Sequence, residues 1–134
     1  MPELEAGVAA VNITPFIGGP MSGYLQLASE EIDDPLYCKA LVLQDGETRI
    51  ALVSTDLVGV HLDLVKRVCA RVTADTGIPG DNVLVCASHT HFGPYIGAIV
   101  GGRGLHTEAD QGYVLALERQ MASAVKMAND RRSP

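Results

Sequence analysis

A mixed α/β fold is what this sequence predicts, and three observations predict it. Two β-rich runs, Tyr37 to Gln44 and Thr48 to Ser54, flank Asp45-Gly46-Glu47, which has the turn chemistry of a hairpin. Leu62, Val65, Val68, Cys69 and Val72 recur at helical spacing, with Lys66, Arg67 and Arg71 on the other face. From Asp110 a second stripe, Val114, Leu117, Met121, Val125 and Ala128, marks another amphipathic helix that would cover the sheet. The order strand, hairpin, helix, strand, helix, joined by right-handed crossovers, places two covering helices over a mixed β-sheet. The 134 residues form a single domain or a fragment of a larger α/β domain.

Taken in order, Val8 to Ile13 forms the first strand and stops at Thr14-Pro15, because proline removes a ladder donor and restricts the residue before it. Phe16 to Tyr24 reads as irregular. Its glycines permit close backbone approach, so Gly23 is a candidate substrate-binding position and the loop amides could hold an oxyanion; the alternative is a plain linking loop. Glu30, Glu31, Asp33 and Asp34 form either a hard-cation site or, more ordinarily, a solvated face. After the hairpin, Asp56 falls at a strand end, positioned either to accept the distal N–H of a ligand histidine or to serve as a structural cap. His61 opens the first helix as a capping or surface residue, and Gly77 with Pro79 closes that helix.

The segment Asn82 to Pro94 organises the rest. Val83-Leu84-Val85-Cys86-Ala87 has the apolar, partly β-branched character of a central strand covered on both faces. His89 and His91 follow at its C-terminal end, where open α/β sheets bind ligands. On extended backbone, residues i and i+2 point to one side about 6 to 7 Å apart, near enough to share a metal ion. Zinc takes neutral imidazole nitrogen, and a catalytic zinc needs three protein ligands with an open position for water. An Asp-His pair directly after the H-x-H would indicate a metallo-β-lactamase-like site; Gly93-Pro94 stands there instead. Gly97 to Gly104 reads as a mobile loop over a site, without the Lys-Ser/Thr of a phosphate loop. His106 is either a third nitrogen or a surface histidine.

Composition narrows the partners. A net charge of −6 and the lack of a Lys/Arg cluster argue against nucleic acid. Three cysteines, Cys38, Cys69 and Cys86, at wide spacing and in apolar settings read as small buried hydrophobes rather than a disulfide framework. Met-Pro-Glu-Leu-Glu at the start has no signal-peptide character and no apolar run approaches a membrane span, so cytoplasmic is the default expectation and no transmembrane segment is expected.

Ser88-His89-Thr90-His91-Phe92-Gly93-Pro94 after Asn-Val-Leu-Val resembles the zinc-site motif of the neutral/alkaline non-lysosomal ceramidases, which reads approximately Thr-His-Thr-His-Ser-Gly-Pro. Further pieces lie in the family's order: Ala6-Gly7-Val8, Asn12-Ile13-Thr14-Pro15 (with Asn12 where the family usually has Asp), Met21-Ser22-Gly23-Tyr24, Asp34-Pro35-Leu36-Tyr37, and Leu52-Val53-Ser54-Thr55-Asp56-Leu57. The resemblance runs from about Leu4 to Ala128.

It implies amide hydrolysis on one zinc ion, with ceramide or a related N-acyl lipid as substrate. By the same resemblance His89 is a zinc ligand and His91 a catalytic residue beside the metal, orienting water or substrate. The family's other ligands (a histidine, a glutamate and a tyrosine) and its Gly-Asp-x-Ser-Pro serine segment lie further along its chain. The resemblance therefore implies that this chain is the N-terminal portion of a ceramidase-like catalytic domain, inactive by itself, with an uncovered sheet edge through which it self-associates. It also keeps secretion open, since members of the family are often secreted. A zinc hydrolase acting on a smaller amide or ester, and a non-catalytic metal-binding module, are the alternatives.

Overall fold

A computed structural model describes residues 3–24, 28–97 and 108–134. Strand β1 (Glu5–Asn12) pairs antiparallel with β3 (Tyr37–Asp45), and β3 with β4 (Thr48–Thr55). The β3–β4 register runs from Cys38↔Thr55 to Asp45↔Thr48, which leaves Gly46-Glu47 as a two-residue hairpin loop. Gly46 supplies the positive φ, 57°, that such a loop needs. Helix α1 (Leu62–Thr76) then returns the chain so that β5 (Val83–Ala87) pairs parallel with β4, from Ala51↔Val83 to Thr55↔Ala87. The sheet order is β1-β3-β4-β5, mixed as expected. Two short strands, β2 (Met21–Gly23) and β6 (Phe92–Pro94), form a separate antiparallel ribbon, and α2 (Gln111–Asp130) closes the described chain.

The helices pack together and against the sheet. Leu64, Val68 and Val72 of α1 and Val114, Leu117, Met121, Val125 and Ala128 of α2 are buried, so the predicted stripe of α2 is the observed one. In α1 the buried line is shifted: Leu62 is exposed at the first turn and Leu64 takes the inward place. His61 Nδ1 accepts from the Leu64 amide at 3.1 Å, and Asp110 Oδ1 accepts from the Tyr113 amide at 3.0 Å, each capping its helix. Gly77, at φ 74°, ends α1 in the left-handed conformation.

Two expectations are corrected here. Arg67 and Arg71, expected only on the face opposite the apolar stripe, both reach the buried carboxylate of Glu118 on α2, Arg67 Nε at 2.8 Å from Oε2 and Arg71 Nε against Oε1. A carboxylate enclosed between two helices requires such counter-charges. The second correction concerns β5, which among the described residues is an edge strand of the sheet and not covered on both faces. The helices occupy one face, leaving Leu84 60% and Val8 65% exposed on the other, with Cys86 also exposed rather than buried. A short apolar run has the same residue pattern in either situation, so the sequence could not separate them. Among the described residues no helix is long and apolar enough to cross a membrane.

Candidate functional site

The site grows from the ends of β4 and β5. Beyond the regular ladder, the Ser88 amide donates to Thr55 O at 2.9 Å and the His89 amide to Leu57 O at 3.0 Å. Leu57 and Val58 are buried, so the carbonyls they present are fixed. His89 has φ 64°, the left-handed region, and is the non-glycine residue at positive φ among those described. That conformation costs a non-glycine residue on the order of 1–3 kcal/mol and persists where surrounding bonds enforce it. Here the Leu57 carbonyl holds the main chain, and the Val58 carbonyl accepts from His89 Nδ1 at 2.7 Å.

The extended i, i+2 arrangement expected of the two histidines is therefore not the one observed. β5 stops at Ala87, and the turn at His89 folds the rings toward one another. Their centroids lie 4.6 Å apart at 79°, and His89 Nε2 is 3.0 Å from His91 Nε2. A carbonyl oxygen can only accept, so neutral His89 carries its proton on Nδ1 and leaves an Nε2 lone pair facing His91. His91 Nδ1 is buried and has no hydrogen-bond partner among the described residues. Either His91 Nε2–H donates to the His89 lone pair or the two Nε2 atoms share a cation. A 3.0 Å separation is within reach of one zinc ion bound at about 2.0–2.1 Å from each nitrogen. The pair fits such an ion as part of a ligand set; among the described residues no group of three or more His, Cys, Asp or Glu side chains gathers to hold a metal.

The β2–β6 ribbon braces this turn, correcting the expectation that Phe16 to Tyr24 has no regular structure. Ser22 pairs with Gly93 and Gly23 with Phe92, while the Tyr95 amide donates to Pro20 O at 2.8 Å. Gly23 has φ 112°, and a Cβ there would lie 2.1 Å from His91 O and 2.6 Å from His91 C and Cα. The close approach expected of Gly23 is thus made to the His91 main chain. Tyr24 follows, its ring 4.5 Å from the His91 ring and 6.3 Å from that of Phe92.

The remaining candidates separate from this cluster. Asp56 Oδ2 accepts from the Tyr37 amide at 2.9 Å, and the Asp56 amide donates to Tyr37 O at 3.0 Å, so this carboxylate ties β3 to the end of β4. The acceptor for the ring N–H of His89 is Val58 O instead. Gly18 donates its amide to Ser29, which occupies one of the loop N–H groups considered for an oxyanion. Glu30, Glu31, Asp33 and Asp34 are all exposed. Burial, with the Asp56 carboxylate adding to it, pushes the Cys38 thiol up to about 12, leaving it inert. Asn12 Oδ1 accepts from the Thr14 amide at 2.9 Å, a turn contact open to an aspartate as well. His106 and the loop glycines Gly101, Gly102 and Gly104 lie outside the described residues.

Sequence reasoning missed Val58 and Tyr24. A backbone carbonyl leaves no mark in a sequence; Tyr24 stood in a quoted motif but carried no assigned role.

An α/β layer with a histidine pair at the C-terminal ends of two parallel strands is the class of site defined by this geometry. Among solved structures the chain is similar to a neutral ceramidase from Pseudomonas aeruginosa, with TM-score 0.78 and 23% identity, and to a ceramidase complexed with C2, with TM-score 0.81 and 23% identity. In each case all of this chain is covered and 22% of the other, so it shares the fold of about one fifth of those proteins. No protein-family model and no curated protein sequence matches the chain.

Proposed function

We propose that His89 and His91 belong to the metal site of a zinc-dependent amide hydrolase whose substrate is ceramide or a related N-acyl lipid. The observation that carries this reading is the meeting of the two Nε2 atoms at 3.0 Å, with His89 Nδ1 committed to the Val58 carbonyl. That carbonyl fixes the tautomer in which His89 Nε2 is free to bind an ion. His91 would hold a proton or orient water at its own Nε2. Zinc, when bound, supplies polarisation of the N-acyl carbonyl and acidification of water. Exposed Tyr24 and Phe92 beside the turn give it apolar surface suited to a lipid. The likeness of fold to ceramidases supports the same reaction class. The donor count, two among the described residues, favours a non-catalytic metal-binding module as the second reading.

Competition with a chromophoric zinc chelator tests the metal assignment. His89→Ala should weaken zinc binding by more than about tenfold, while His61→Ala, which removes only a helix cap, leaves it unchanged. Equal affinities in the two variants would overturn the assignment. Fatty-acid release from N-acyl sphingosine by zinc-loaded protein tests the reaction: release abolished by metal chelation and by His89→Ala supports the zinc hydrolase, and release that survives chelation overturns it.

A further inference from the structure

We infer that Tyr24 is a positioning residue for His91, with Gly23 as the hinge that brings it there. The inference rests on His89 and His91 forming one site. The two imidazoles are held by different means. His89 is anchored on its far side by the Val58 carbonyl, whereas His91 Nδ1 is buried with no partner among the described residues, so none of them fixes the far side of the His91 ring by a hydrogen bond. What lies against that ring instead is Tyr24, with centroids 4.5 Å apart and planes tilted by 47°. A tilted aromatic contact of this kind favours one ring orientation without needing a donor or acceptor.

The main chain explains why Tyr24 can reach. Gly23 pairs with Phe92, and the space a side chain would occupy at Gly23 is filled by the His91 carbonyl and Cα. Only glycine accepts both that contact and φ 112°, and the next residue is thereby carried over the imidazole. Tyr24 is 76% exposed and contributes little to the core, so its packing on His91 is separable from folding.

The test uses ¹⁵N-labelled, zinc-free protein, observing histidine ring signals by long-range ¹H–¹⁵N correlation, followed by zinc titration. Tyr24→Leu should shift the His91 ring-proton signals through loss of the ring current and leave the His89 tautomer pattern intact. Tyr24→Phe should retain the parent's His91 signals. Zinc affinity should fall about two- to tenfold in Tyr24→Leu and stay near the parent's in Tyr24→Phe. Unchanged His91 ring signals in Tyr24→Leu, with melting temperature also unchanged, would overturn the inference. Failure of the parent to bind zinc, with the His91 signals still responding to Tyr24→Leu, would overturn the zinc reading and leave the positioning role standing.

Discussion

The helical layer and the histidine turn are organised by opposite means. In the layer, side chains do the work: Val68 and Val72 face Leu117, Met121 and Val125 in one apolar cluster, and position follows from periodicity. In the turn, main-chain groups do it: the carbonyls of Leu57 and Val58 hold His89, and the missing side chain of Gly23 admits His91. The first region holds the fold together through that burial. The second spends stability, through positive φ at His89 and an unpartnered Nδ1 at His91, to set two rings together. The difference predicts that damage to the layer unfolds the protein, whereas damage to the turn disables the site with the fold intact.

The largest effect should come from the layer. Leu117 is fully buried, and Leu117→Ala removes its side chain from a packed cluster, costing about 2–5 kcal/mol in urea unfolding. In the fraction that remains folded, the His89 and His91 ring signals should be those of the parent. Altered ring signals in folded Leu117→Ala would break the comparison, by showing that core packing sets the turn.

This contrast also explains what could be read in advance. The hairpin was legible because Asp45-Gly46-Glu47 states its own turn chemistry, and α2 because its stripe repeats through five positions. His89 and His91 were legible as a pair, since their chemistry is in their side chains. Their arrangement was not, because it follows from a φ angle at His89 and a carbonyl at Val58, neither of which depends on side-chain identity there. Gly23 was legible as a point of close approach but not its object, which is the main chain of His91, 68 residues on in sequence. Arg67 and Arg71 were legible only as the face opposite the apolar stripe, because Glu118, their partner, lies on another helix.

An intermediate effect is expected from Gly23→Ala. A Cβ would strike the His91 main chain, and φ 112° is strained for alanine, so relief requires the β2–β6 ribbon to shift at a cost of about 1–3 kcal/mol. That ribbon stands apart from the four-stranded sheet, so the melting temperature should fall by less than in Leu117→Ala while zinc affinity falls by more. A large loss of thermal stability with zinc affinity unchanged would show that the glycine serves only the turn.

The smallest effect sharpens the comparison from the layer's side, because it involves the layer's one buried charge. Hydrogen bonding from Arg71, and then from Arg67, holds the Glu118 carboxyl below its ordinary 4.5, against the opposing effect of burial. A carboxylate with a depressed folded pKa contributes stability that is fully present above the unfolded value and is lost as pH falls through the folded value. Glu118→Gln keeps the shape and a neutral hydrogen bond but loses the charge. Because both arginines are about half exposed, their attraction is screened, and the cost at neutral pH should be about 1 kcal/mol. Urea unfolding of parent and variant across a pH series should show that gap constant above pH 4.5 and closing as pH drops below it. A gap that persists unchanged at low pH would assign the contribution of Glu118 to packing rather than charge, and the helical layer would then be held by side-chain shape throughout.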